Sequence, residues 1–305
     1  MACKPARTYE EQALILKDEH GLCVCNPLFA ARALHKINYY NLRGYYIHWM
    51  DSKQLQFRSG ITFEMILQLR DFDEQLRHLL WPYLLQVEIR FRTHIAYYIA
   101  HQFGPLGYRD VTNFLSAIYA QEIIDEIDKA IKKSEREIFI QHYKQCYNSE
   151  FPIWVIIEVL PFGVLSKLFS NLYDTDKTNI AKEHYGIDGG VVNSYLTALS
   201  AIRNICAHNG RVYNKTLPIG IKISTHNKKK LQTAYGAKYL DFCTFSGALF
   251  DRSLFAVLLA LRDLTPKSSF ENLVGHLEYL INQYNNVVCP QRLGFPPYWK
   301  DFLLS

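Results

Sequence analysis

The chain has 305 residues, 49% of them apolar, and 34 lysines and arginines against 29 acidic residues give a formal charge of +5. That length and apolar content describe a globular chain with a sizeable core and exclude a disordered tail; the mildly basic balance agrees with a nucleic-acid partner without requiring one. No apolar run reaches the ~20 residues of a membrane span, and the start Met-Ala-Cys-Lys-Pro-Ala-Arg lacks the apolar stretch of a signal peptide. Seven scattered cysteines fit neither a zinc ribbon nor a disulfide framework, so reduced thiols in a cytoplasm are expected.

In chain order, Thr8-x-x-Glu11 is a capping box that opens a short helix to about His20, and Gly21 ends it. Asn26-Pro27 starts a second helix, with proline at its first position. It leads into the aromatic cluster Ile37 to Tyr45, read either as packing against the next helices or as a base-stacking surface. Residues 1–60 form a small N-terminal helical lobe in this reading, closed by a polar hairpin or loop from Asp51 to Gly60. Residues 61–305 form the main helical domain.

Thr62 caps a long helix with a wide apolar stripe, kinked or restarted at Trp81-Pro82 and stopped at Gly104-Pro105. Glu88 and Arg92 stand four apart on it, a spacing for an ion pair. Residues 117–146 read as one or two amphipathic helices, in which Arg136 and His142 show a loose arginine-then-histidine spacing. Phe151 to Leu172 reads as a buried helix bent at Pro161 or Gly163. Glu158 is the odd charge in that run and needs a partner, with Arg92 and Arg203 as candidates. A short polar helix follows from Asp174 to Gly186. Past Pro218 a basic, irregular stretch carries Lys228, Lys229 and Lys230, either an RNA-facing loop or a plain solvated one. Gly247 to Leu264 is another apolar helix. Ser268-x-x-Glu271 caps the last one, from Phe270 to about Tyr284, and an irregular apolar tail closes at Leu293 to Trp299. The fold expected is all-α, nine to twelve helices with the long ones in a bundle.

The densest chemistry lies in Ile202-Arg203-Asn204-Ile205-Cys206-Ala207-His208-Asn209-Gly210-Arg211-Val212-Tyr213-Asn214. A helix from about Val191 to Asn209, with Gly210 as its left-handed stop, puts Tyr195, Leu199, Ile202 and Cys206 on the buried stripe. Thr197, Ser200, Ala201, Asn204 and His208 fall opposite, with Arg203 beside them and Arg211 able to fold back. Guanidinium groups hold phosphate through paired hydrogen bonds. Imidazole moves protons near neutral pH. No carboxylate interrupts the cluster to hold Mg²⁺. The pattern points to metal-independent RNA cleavage, in which a 2′-hydroxyl attacks the adjacent phosphate. Its plain alternative is that Asn204, His208 and Arg211 cap a helix end.

The string Arg-Asn-Ile-Cys-Ala-His-Asn-Gly-Arg-Val-Tyr-Asn resembles the Abi-like family of bacterial abortive-infection proteins, and Arg203-Asn204-x-x-x-His208 resembles the signature of the HEPN superfamily. The resemblance runs from about Tyr9 to Trp299, in blocks at Ile37–Tyr45, Thr62–Arg77, Val87–Ala100, Pro152–Leu172, Ile202–Asn214 and Leu293–Trp299. It implies an all-helical HEPN-like fold, a bacterial cytoplasmic setting and a role in phage defence. It also implies a nuclease site on Arg203 and His208 with Asn204. Some relatives act with a small RNA encoded beside them, and HEPN pairs form the nuclease of type VI CRISPR effectors. Pro161 replaces an expected small polar residue. Gly210 stands where toxins paired with a nucleotidyltransferase antitoxin carry tyrosine, which argues against that scheme.

The expected function is therefore an endoribonuclease without cofactors. Arg203, Asn204 and His208 are catalytic; Arg211, Asn209, Asn214, Lys228, Lys229 and Lys230 contact RNA; Glu158 and Arg92 support. A two-fold homodimer would bring two histidines together. The alternative is a non-catalytic RNA-binding or scaffold protein of the same shape, with a small RNA or an antitoxin as a further partner.

Overall fold

The computed structural model describes residues 5–51, 53, 55–236 and 250–305. Its spine is one helix of 41 residues, α4 (Phe63–Phe103), about 60 Å long at the usual rise. Thr62 starts it by accepting the Met65 N–H, and Gly104, at φ +87°, stops it. Of the kink or restart expected at Trp81-Pro82, the restart does not occur, since α4 stays helical throughout. Pro82 and His78, whose carbonyl loses its donor, are both exposed, so water can take the missing bond's place.

The other helices wrap this spine. α1 (Tyr9–Leu14) carries the Thr8–Glu11 capping box and runs into a wider turn, Ile15–Glu19. α2 (Pro27–Lys36) is capped by Asn26, and α3 (Tyr39–Tyr46) buries Leu42, Tyr45 and Tyr46 against α4. The aromatic cluster is thus mainly packing, though Tyr40 stays exposed. α5 (Ala117–Lys133) and α6 (Ile138–Cys146) follow. The apolar run then breaks into α7 (Ile153–Ile156), a tight turn Ile157–Val159, and α8 (Phe162–Ser170) after Pro161. α9 (Asp174–Tyr185) ends at Gly186 in the left-handed conformation. α10 (Gly189–Ala207) carries the motif.

Past the motif come α11 (Thr225–Tyr235), α12 (Leu254–Leu264), α13 (Lys267–Gln283) and α14 (Trp299–Leu304). Residues 247–249 of the expected apolar helix lie outside the described residues. α13 starts at Lys267 after Pro266, with no side-chain cap, so Ser268 and Glu271 sit inside it. The tail is half regular: Leu293 and Phe295 are buried, and α14 follows. Among the described residues there are fourteen α-helices and no strand, only two isolated bridges, Cys23 with Thr62 and Met50 with Phe57. The fold is an all-α bundle. The buried side chains of residues 13–57, Ala31 apart, belong to the same core cluster as those of α4, α10 and α12.

Candidate active site on the last turn of α10

α10 is placed at both ends. Asp188 accepts the N–H groups of Gly190 and Val191. Gly189 lies so close to α9 that a Cβ there would come within 2.7 Å of the Lys177 backbone. Along the helix Tyr195, Leu199, Ile202 and Cys206 are buried, as the period requires. The opposite stripe is open only at its end. Ser200 is buried, and Thr197 meets Ser166 of α8 at 3.3 Å. Asn204, His208 and Asn209 are exposed.

The helix ends by a left-handed residue, but it is Asn209 (φ +53°) rather than Gly210. The Gly210 N–H donates to Ile205 O at 2.8 Å and the Asn209 N–H to Cys206 O at 3.4 Å, the paired bonds of a Schellman end. Gly210 is there for space: a Cβ would stand 3.0 Å from Ile205 Cγ2. His208 is the cap residue itself. Among the described residues its imidazole has no hydrogen-bond partner, and the residue is exposed.

Arg203 is held from below. Its Nε and Nη2 donate to the two oxygens of Glu88 at 3.1 Å each, and Nη1 donates to Asn204 Oδ1 at 3.0 Å. Its guanidinium carbon lies 5.9 Å from the Phe162 ring centroid. Glu88 also receives Arg92, whose other arm donates to Ile157 O. Glu88, Arg92 and Arg203 are thus buried or nearly so, two positive charges sharing one negative charge. The surplus positive charge sits beside His208's turn, which suits an anion.

The carboxylate was expected at Glu158, and this is corrected. Glu158 is exposed. The break into α7, a tight turn and α8 points it outward and offers the Ile157 carbonyl to Arg92 instead. Arg211 does not fold back either. Its Nη1 donates to Tyr213 O at 2.6 Å and Asn214 O at 2.8 Å, and its Nε would lie 2.9 Å from a Cβ on Gly44 of α3. It ties the loop after α10 to the N-terminal segment.

Asp73 completes that tie, and the sequence reading missed it. The side chain is fully buried. It accepts the Val212 and Tyr213 N–H groups at 2.9 and 2.6 Å, the Tyr45 hydroxyl at 2.8 Å, and Arg77. Burial pushes its carboxyl above the usual range, while these donors pull the other way. The signal available was an aspartate interrupting the apolar stripe of α4 four residues before Arg77. Asn214 is half-buried at φ +50°.

Lys228, Lys229 and Lys230 lie on a helix, not on an irregular loop. Ser224 caps α11, and fully buried Asn227 and Leu231 anchor it, Asn227 donating to Asp263. Lys228 and Lys229 are exposed. Lys230 is turned inward, donating to the Ser305 carbonyl and lying 5.5 Å from the Phe302 centroid. Arg136 and His142 are exposed, with His142 against Tyr147. Burial pushes the Cys206 thiol up to about 12, so the motif's cysteine stays protonated and is no nucleophile.

The family model described as Abi-like protein matches residues 32–214, more than half of the chain and every residue of the Glu88–Arg203–His208 arrangement. The chain belongs to the Abi-like protein family. That membership points to abortive infection as its setting. The matched span ends at Asn214, so α11 with its lysines and the Leu293–Trp299 tail stand outside the Abi-like match. No curated protein and no solved structure matches the chain. Among the described residues no helix is long and apolar enough to cross a membrane.

Proposed function

We propose that this Abi-like protein is a metal-independent endoribonuclease of the HEPN type that acts in abortive infection. The reading rests on one observation. Arg203 is oriented by Glu88 and Asn204, and His208, the cap residue five positions on, is left unpaired and exposed. A structural cap would gain from a bond to its histidine; a proton-transfer group needs its nitrogens free. Of the five N–H groups of Arg203, three are spent inside the protein, leaving two for a phosphate oxygen or the transition state. His208 takes the 2′-hydroxyl proton or protonates the leaving 5′-oxygen, and the arginine stabilises the added charge on the phosphate.

The test is incubation of the purified protein with labelled RNA in EDTA. Cleavage giving 2′,3′-cyclic phosphate and 5′-hydroxyl ends is expected, with deoxyribose at the cut site resisting. His208→Ala should lower the rate at least about 100-fold, the usual share of one acid or base. Its circular dichroism should not change, because the side chain is exposed. RNA binding without cleavage by the wild type would make the protein a binder, and 5′-phosphate ends would mean another mechanism.

A further inference from the structure

Away from α10, where α4 ends, there is a cavity of about 660 Å³ that the nuclease reading does not use. That size is in the range of sites for small molecules. Its walls are aromatic: Phe103 at the end of α4, Tyr143 of α6, Tyr147 just past it, and Trp154 of α7. Tyr143 and Tyr147 lie with ring centroids 4.8 Å apart. Trp154 is 48% exposed and Tyr147 52%, so both leave large ring faces open.

The cavity is built rather than accidental. Gly107 lets the turn after α4 close over Phe103, where a Cβ would come within 2.3 Å of the Phe103 Cβ. The Ile153 N–H donates to Pro105 O at 2.9 Å, fixing α7 against that turn. The turn after α6 takes two non-glycine residues into the left-handed region, Asn148 at φ +49° and Ser149 at φ +63°. Such strain persists where the surroundings hold it, often at functional sites. Here the Ser149 N–H donates to Tyr143 O and the Glu150 N–H to Tyr147 O, which brings Glu150 to the lining.

The charge of the lining is as particular as its shape. Asp110 and Glu150 are its ionisable acids, and among the described residues it has no lysine, arginine or histidine. Thr112 donates twice to Asp110 and holds its carboxyl below the usual range. Of the basic residues flanking it along the chain, Arg109 pairs with Asp128 and Lys144 with Glu135, while His142 lies against the Tyr143 and Tyr147 rings, with centroids 5.8 and 5.5 Å away. In a chain of net charge +5 this is a locally acidic, aromatic hollow, which repels a phosphate backbone and attracts a cation.

We propose that this cavity binds a small organic cation with an apolar body, the rings taking the body and Asp110 and Glu150 the charge. The probe is benzyltrimethylammonium, titrated by calorimetry into the full chain, with benzyl alcohol and phenylacetate as neutral and anionic counterparts. Saturable binding of the cation is expected, weakening with added salt, with the alcohol about tenfold weaker and the anion not bound. Trp154→Ala should weaken it about tenfold and Glu150→Gln about threefold. Both side chains are exposed, so unchanged circular dichroism would show that the variants fold. His208→Ala should bind like the wild type, which separates this site from the nuclease reading. No saturable binding of the cation, equal binding of the alcohol, or full binding by folded Trp154→Ala would overturn the assignment.

Discussion

Arg203 spends its Nε and one Nη2 proton on Glu88, so its orientation depends on a carboxylate 115 residues away in sequence. Replacing it by lysine keeps the charge but loses the two-pronged grip. Arg203→Lys should therefore fold, bind RNA more weakly and cleave far more slowly than the charge count suggests. Glu88→Ala should do more damage, leaving two largely buried guanidinium groups without their counter-charge. A loss of about 3–5 kcal/mol is expected, read by denaturant unfolding. A Glu88→Ala variant as stable as the wild type would mean that water, not Glu88, holds the arginines. The contrast also explains what the sequence could disclose about the site. Arg203, Asn204 and His208 stand within one and a half turns, so local spacing placed them on the open end of a helix. The ion pair of Glu88 with Arg92 was legible for the same reason. Its second partner, Arg203, was not, because only the packing of α10 on α4 brings the two helices together. Asp73 was hidden likewise: its partners are two N–H groups of a loop 139 and 140 residues on. Glu158 reads as a buried charge in need of a partner if the run is a helix bent only at Pro161 or Gly163; the helix instead stops at Ile156, and the tight turn Ile157–Val159 leaves Glu158 exposed.

At the scale of elements, starts and stops were readable wherever a side chain near in sequence decides them. Thr8, Asn26 and Thr62 cap where their spacing places them, and Gly104 and Gly186 stop their helices at positive φ. α11 escaped notice because its evidence is mostly tertiary: a buried asparagine bonded to Asp263 and one fully buried leucine, Leu231. Ser224 was the local hint. The packing of α9 on α4 makes a prediction about pH. His94 stacks on His184 with centroids 3.7 Å apart and 12° between planes, and its Nδ1 meets the Tyr185 hydroxyl at 3.0 Å. Burial, then His184 and Arg90, push the His94 imidazole down from 6.5 to about 4. The folded value lies below the unfolded one, so the unfolded chain takes up the proton first on acidification. The stability tied to neutral His94 is complete above about 6.5 and is lost between there and about 4. His48, pushed down to about 3 by burial and by Arg292, Arg211 and Arg58, extends the loss to lower pH. Melting temperature should thus fall steadily below pH 6.5, and His94→Phe should flatten the fall above pH 4 without removing it below. An unchanged slope in that variant would reject the assignment.

For the whole molecule, the proposed nuclease reading asks the exposed imidazole at the end of α10 to serve a reaction with two proton transfers. In-line cleavage wants one group to accept the 2′-hydroxyl proton and another to protonate the leaving oxygen. The end of α10 offers His208, and the other histidines described here lie on other elements: His94 is stacked between α4 and α9, and His142 is on α6 against Tyr147. A two-fold pairing through the open end of α10 would set two copies of Arg203 and His208 across one cleft. Each cluster carries one surplus positive charge, so the pairing costs repulsion in the free protein. A phosphate backbone in such a cleft would relieve it, and RNA binding would then be coupled to assembly. Subunit mixing gives the measurement. If every cleft needs both histidines, heterodimers with His208→Ala are inactive, and activity follows the square of the wild-type fraction. An equal mixture, allowed to exchange, should then retain about a quarter of the wild-type rate, and an excess of the variant should silence what remains. Activity in simple proportion to the wild-type fraction, or full activity in a strictly monomeric preparation, would mean a site complete within one chain. The second proton donor would then have to come from this same chain, and Arg136 and His142 would be the next residues to change.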